Sequence, residues 1–111
     1  MEIEEFIRYI LSTSAKFEWI KRMDVKTIEA RAKIRLFIND NFVDVYYNAE
    51  DEIVSYAYLE SDKRIFGANN MKIGWHWHPY DDVQKHESSN SVTIEEFLNA
   101  LEKELKKRNM I

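Results

Sequence analysis

The 111-residue chain contains no cysteine. Disulfides, thiolate nucleophiles and cysteine-ligated zinc are therefore excluded together. Proline occurs once and glycine twice, so regular elements joined by short turns are predicted rather than long irregular loops. No apolar run approaches the ~18 residues of a transmembrane helix. The opening Met1-Glu2-Ile3-Glu4-Glu5 is acidic where a signal peptide is basic, which makes the cytoplasm the expected location. Positive charge is also short: the net charge of −4 argues against a generic nucleic-acid binder, though it leaves room for a local basic patch. Gln84 is the only glutamine, and Lys, Glu and Ile are abundant. That composition leans towards a thermophilic source, an inference weakened by eight asparagines.

What is present is enough for one folded domain. A hydrophobic fraction of 45% and an aromatic fraction of 14% supply a core at this length. Ile3, Phe6, Ile7, Ile10, Leu11 and Phe17 recur at helical spacing and predict a helix over 3–22, with the weak helix formers Ser12-Thr13-Ser14 as the place for a break or a second short helix. Residues 27–38 alternate, with Ile28, Ala30, Ala32, Ile34, Leu36 and Ile38 on one side and Glu29, Arg31, Lys33 and Arg35 on the other, as a half-buried strand does. Further strands are expected at 42–48, 53–60, 64–67 and 72–78, separated by Asn-, Asp- and Ser-rich turns. Residues 79–91 read as a polar loop. Thr93-Ile94-Glu95-Glu96 is a capping box, and Ile94, Phe97, Leu98, Leu101 and Leu105 form the apolar face of a helix over 93–108. The expected fold is α+β: an antiparallel β-meander of four to five strands over 27–78, with the N- and C-terminal helices packed on one face and the other face partly open.

The chemistry concentrates in Gly74-Trp75-His76-Trp77-His78-Pro79. All three histidines fall between 76 and 86. On a strand, His76 and His78 share one face and Trp75 and Trp77 the other. Three readings are open. His76, His78 and His86 are candidate ligands of a divalent metal such as zinc, with Asp81 or Asp82 to complete the site. Alternatively they are a metal-free acid–base set, since imidazole titrates near neutrality. Otherwise the imidazoles and indoles simply pack a sheet edge. Arg31, Lys33 and Arg35 sit at same-face spacing of roughly 6.5–7 Å, near the phosphate repeat of a single nucleic-acid strand, and suit a phosphate track, a landing site for an acidic partner or an ordinary solvated face.

The stretch from about Tyr56 to His86 resembles the TumE-like family, small prokaryotic proteins that are toxin components of type II toxin–antitoxin systems. The residues that carry the resemblance are Tyr56-Ala57-Tyr58, Arg64-Ile65-Phe66, Asn69-Asn70, Trp75-His76-Trp77-His78-Pro79 and His86. The chain departs from many members at Ala68-Asn69, where they carry Asp-Asn, and at Gln84-Lys85, where they carry a proline before the last histidine. The resemblance implies growth inhibition by an RNA-directed mechanism, and a cognate helix-turn-helix antitoxin as partner. It also gives weight to a ribonuclease reading. His76, His78 and His86 would then transfer protons while Arg64 and Tyr58, with Tyr56, hold the phosphate, and Arg31, Lys33 and Arg35 bind the rest of the RNA. The alternative is a non-catalytic module that binds a metal or a protein. A homodimer is a further expectation, and no membrane association is expected.

Overall fold

The computed structural model describes residues 1–111 as α1 (Ile3–Ser14), β1 (Arg22–Ile28), β2 (Arg31–Ile38), β3 (Asn41–Asn48), β4 (Ile53–Glu60), β5 (Lys63–Asn69), β6 (His76–His78), β7 (Glu87–Ser88) and α2 (Ile94–Lys107). The α+β class and the two terminal helices are as expected. The sheet is larger, however: seven antiparallel strands in the order β1-β2-β3-β4-β5-β6-β7.

The differences have local causes. α1 stops at Ser14, at the end of the weak helix formers Ser12, Thr13 and Ser14; the Ser12 hydroxyl bonds back to the Tyr9 carbonyl. Residues 27–38 are not one strand. Glu29 takes a left-handed φ of 55°, and Glu29-Ala30 closes a two-residue hairpin that sets Ile28 opposite Arg31. Ile28 therefore lies on the charged side and is 68% exposed, not among the core residues. Because the alternation runs through such a tight turn without a break, the turn leaves no mark in the periodicity. β1 itself escapes pattern reading because its residues are exposed almost throughout. The loop expected over 79–91 contains the short β7.

One face of the sheet carries the core. The row Ile34, Val45, Tyr56, Ala68, Trp77 runs across β2 to β6 on this side. α1 lays Phe6 flat on Tyr47, with ring centroids 4.2 Å apart. α2 starts as the capping box predicts: the Glu96 amide donates to Thr93 Oγ1, and the Thr93 amide donates to Glu96 Oε1. Its Ile94, Phe97, Leu98, Leu101 and Leu105 are all fully buried. Phe97 lies against Tyr56, Phe66 and Trp77 at centroid distances of 5.3, 5.3 and 6.0 Å. It thereby fixes β6 onto the helix layer. No helix is long and apolar enough to cross a membrane.

Candidate functional site: a three-histidine cluster on the open sheet face

The register decides which way the histidines look. Trp77 pairs with the core residue Ala68, so His76, paired with Asn69, and His78, paired with Gly67, occupy the opposite face. Here both rings are nearly buried, at 4% and 3% exposure. β7 returns antiparallel with Trp77 opposite Glu87, which brings the exposed His86 next to His78. The ring centroids of the three histidines lie 4.6 to 5.0 Å apart. One ring nitrogen from each falls within 4.8 Å of the others.

Two of the rings are oriented by the backbone. His76 Nδ1 donates to the Gly74 carbonyl at 2.8 Å, and His78 Nδ1 to the Val83 carbonyl at 2.7 Å. A carbonyl oxygen can only accept, so Nδ1 carries the proton in both, and Nε2 of the neutral ring keeps its lone pair free. Burial pushes the His78 pKa below its ordinary 6.5. The bond to Val83 works against that shift, and the positive charge of Arg64 adds to it. His78 is therefore an uncharged acceptor near pH 7.

A β-bulge brings Arg64 to this cluster. Tyr58 pairs with Phe66 but Leu59 pairs with Arg64, which leaves Ile65 as the extra residue. Without it, Arg64 would share the helix-facing side with Phe66; with it, Arg64 turns to the open face. Gly67 completes the arrangement. A Cβ at this position would meet the Tyr56 carbonyl at 3.0 Å and Arg64 Cδ at 3.5 Å, so the bare backbone gives the arginine stem room to lie towards His78.

Other expected site residues fall elsewhere. Tyr58 is fully buried on the helix face, its hydroxyl donating to Glu60 at 2.7 Å and accepting from Asn41. Tyr56 is buried there too and donates to the Val92 carbonyl. The ribonuclease reading expects both tyrosines beside Arg64, but strand alternation and the bulge put them on opposite sides. Asp81 does not join the histidines: it pairs with Arg108 at 3.2 Å. Arg108 also caps the Tyr80 ring, at 3.7 Å from its centroid, and Tyr80 shares Glu60 with Tyr58. This polar pin holds the chain as it leaves β6.

Arg31, Lys33 and Arg35 do lie on the open face. They line a shallow groove of about 730 Å³ with Lys26, Phe37, Asp44 and Tyr46. Arg35 is neutralised by Asp44 at 2.9 Å and stacks over Phe42. Arg31, Lys33, Lys26 and Arg64 have no carboxylate partner. Lys26 is an addition to the expected basic residues; the alternation of Arg22, Asp24 and Lys26 is its signal in the sequence. One cross-strand row, Lys26, Lys33, Tyr46, Ser55, Asn69, His76, connects the groove to the histidines. Comparison with protein-family models, with curated proteins and with solved structures returned no match for this chain.

Proposed function

We propose that the chain acts on RNA as the toxin component of a toxin–antitoxin pair, with His76, His78 and His86 as its reacting centre. The observation that supports this most is the convergence of three imidazoles on the one sheet face the helices leave open. That face also holds the unpaired cations Arg64, Lys33 and Arg31. At about 4.8 Å per strand, the histidines stand roughly 19 Å across the sheet from Lys33. Single-stranded RNA laid along the connecting row would pass over Tyr46, Ser55 and Asn69, beside the low Ala57 and Gly67 of the next row.

The chemistry fits a metal-free scission. Neutral His78 Nε2 takes the proton of a ribose 2′-hydroxyl. The freed oxygen bonds to the adjacent phosphorus, and the bond to the 5′-oxygen breaks, giving a 2′,3′-cyclic phosphate. His86, the solvent-exposed ring beside it, returns a proton to the departing 5′-oxygen, and Arg64 balances charge on the phosphate. Tyr58 has no part in this scheme. Incubating purified protein with single-stranded RNA tests the reading: cyclic-phosphate ends are expected from the native chain, and intact RNA with the His78→Ala variant. Equal cleavage by both proteins would remove the histidine centre from the proposal.

A second reading has its own support. Tying Nδ1 to carbonyls and leaving Nε2 free is how metal-ligating histidines are commonly held. His76, His78 and His86 would be the ligands, and a bound divalent ion such as zinc would supply Lewis acidity. Zinc–nitrogen bonds of about 2.0–2.1 Å require ligand nitrogens roughly 3.3 Å apart in a tetrahedral site, so the cluster would need to contract slightly. Elemental analysis separates the readings. Near-stoichiometric zinc or nickel, lost in the His86→Ala variant, is the expected result for ligation. Trace metal in both proteins favours the proton-transfer scheme.

A further inference from the structure

The free edge of the sheet carries a self-complementary code. β1 runs over seven residues, Arg22-Met23-Asp24-Val25-Lys26-Thr27-Ile28, of which all but the half-buried Met23 are exposed, and it is paired on one side only, by β2. The two-residue loop makes Ile28 and Arg31 the closing hydrogen-bonded pair of the hairpin. The even residues of β1 therefore turn their backbone groups to β2, and Met23, Val25 and Thr27 turn theirs outward. A row of unsatisfied donors and acceptors of this length invites another strand.

The side chains say which strand. Val25 lies in the helix-facing row, opposite Ile34, yet is 41% exposed because the helix layer ends short of the edge. Lys26 stands directly opposite Lys33, a like-charge pair that costs stability, and no carboxylate pairs with either lysine. Asp24 has only an exposed contact with Arg22 at 3.6 Å, which is worth little. An antiparallel copy of β1 can pair about a two-fold axis at Asp24, Val25 or Lys26. Centring on Asp24 opposes two carboxylates, and centring on Lys26 opposes two ammonium groups. Centring on Val25 sets Val25 against Val25, Met23 against Thr27, and Asp24 of each chain against Lys26 of the other. In that register the outward amides and carbonyls of Val25 bond reciprocally. The two ion pairs fall at the narrow, non-hydrogen-bonded positions where side chains are closest.

We infer that β1 is the dimerisation strand of this protein, joining two chains antiparallel about Val25 into one continuous sheet. The open faces of both sheets are then coplanar, and their two basic grooves meet at the axis. This inference is independent of what the histidines do.

Light scattering over a concentration series tests it, with circular dichroism to verify folding. The native chain is expected to approach twice the monomer mass of 13.4 kDa as concentration rises. Asp24→Lys and Lys26→Asp should each be monomeric, because each opposes like charges twice. The double swap Asp24→Lys/Lys26→Asp should dimerise again. An equimolar mixture of the two single variants should form a heterodimer, a result that misfolding cannot imitate. A native chain that stays monomeric throughout would overturn the inference and leave β1 free for a strand of another protein. Dimerisation unchanged in Asp24→Lys would overturn it as well.

Discussion

Replacing His78 by alanine is expected to lower the rate of RNA cleavage by about 10² to 10⁴, the usual worth of a positioned general base. The ring is central to the cluster. It lies within 5 Å of both other imidazoles, it is held by the Val83 carbonyl, and it is the histidine held below its ordinary pKa, chiefly by burial. The last point sets the pH dependence. A base that stays neutral below pH 6.5 keeps working there, so the acid limb of the kcat/KM profile should lie below 6.5. The same shift acts on stability. Because the folded pKa is depressed, the unfolded chain binds more protons in the window just below 6.5, so stability is lost as pH falls through it. The His78→Ala variant should show a shallower loss on acidification. Since this variant also strands the Val83 carbonyl, at a cost of about 1–3 kcal/mol, the exposed His86→Ala variant provides the cleaner kinetic comparison. An acid limb above 6.5, or full activity in both variants, would count against the base assignment.

The largest effect on the fold is expected at Phe97. Its ring is fully buried and meets three aromatic partners from β4, β5 and β6. Phe97→Ala removes those contacts together and leaves a cavity, at a cost of about 3–5 kcal/mol. That is a large share of the 5–15 kcal/mol typical of a domain, and corresponds to a drop in Tm on the order of 15 °C. Because Trp77 lies between His76 and His78 on the same short strand, loosening its stack on Phe97 should also broaden the NMR signals of the histidine rings. Thermal unfolding followed by circular dichroism checks the first effect. A drop of only a degree or two would mean the aromatic cluster closes over the gap.

How legible all this is in the sequence depends on the kind of signal each residue carries. α2 is legible to within a residue at each end because its cap and its apolar stripe are both local. The facing of His76 and His78 against Trp75 and Trp77 follows from strand alternation alone. Which face the helices cover does not, because that depends on Trp77 meeting Ala68 and Phe97, which are distant in sequence. Arg64 illustrates the same limit. Its reach to the cluster depends on the extra residue Ile65, and a bulge has no signature in one strand read without its partner. β1 is the opposite case: Arg22, Asp24 and Lys26 alternate with Met23, Val25 and Thr27, but the run is short and its residues, exposed almost throughout, build no continuous apolar face. The same bulge parts Tyr58 from Arg64: Tyr58 pairs with Phe66 on the helix side, while Arg64, opposite Leu59, looks the other way.

β7 has a consequence for how the site is held. It is two residues long, and the backbone bonds that fasten it to β6 are few and at the margin of the sheet. Opening it exposes almost no apolar surface, so its local opening free energy lies far below that of global unfolding. His86 is therefore expected to part from the other two imidazoles more readily than the fold itself opens. Amide hydrogen exchange at Glu87 and Ser88 should be much quicker than in β3 or β4. Anything that binds all three rings at once would slow it. The completeness of the triad would then depend on how firmly this two-residue strand holds, a quantity adjustable without disturbing the core.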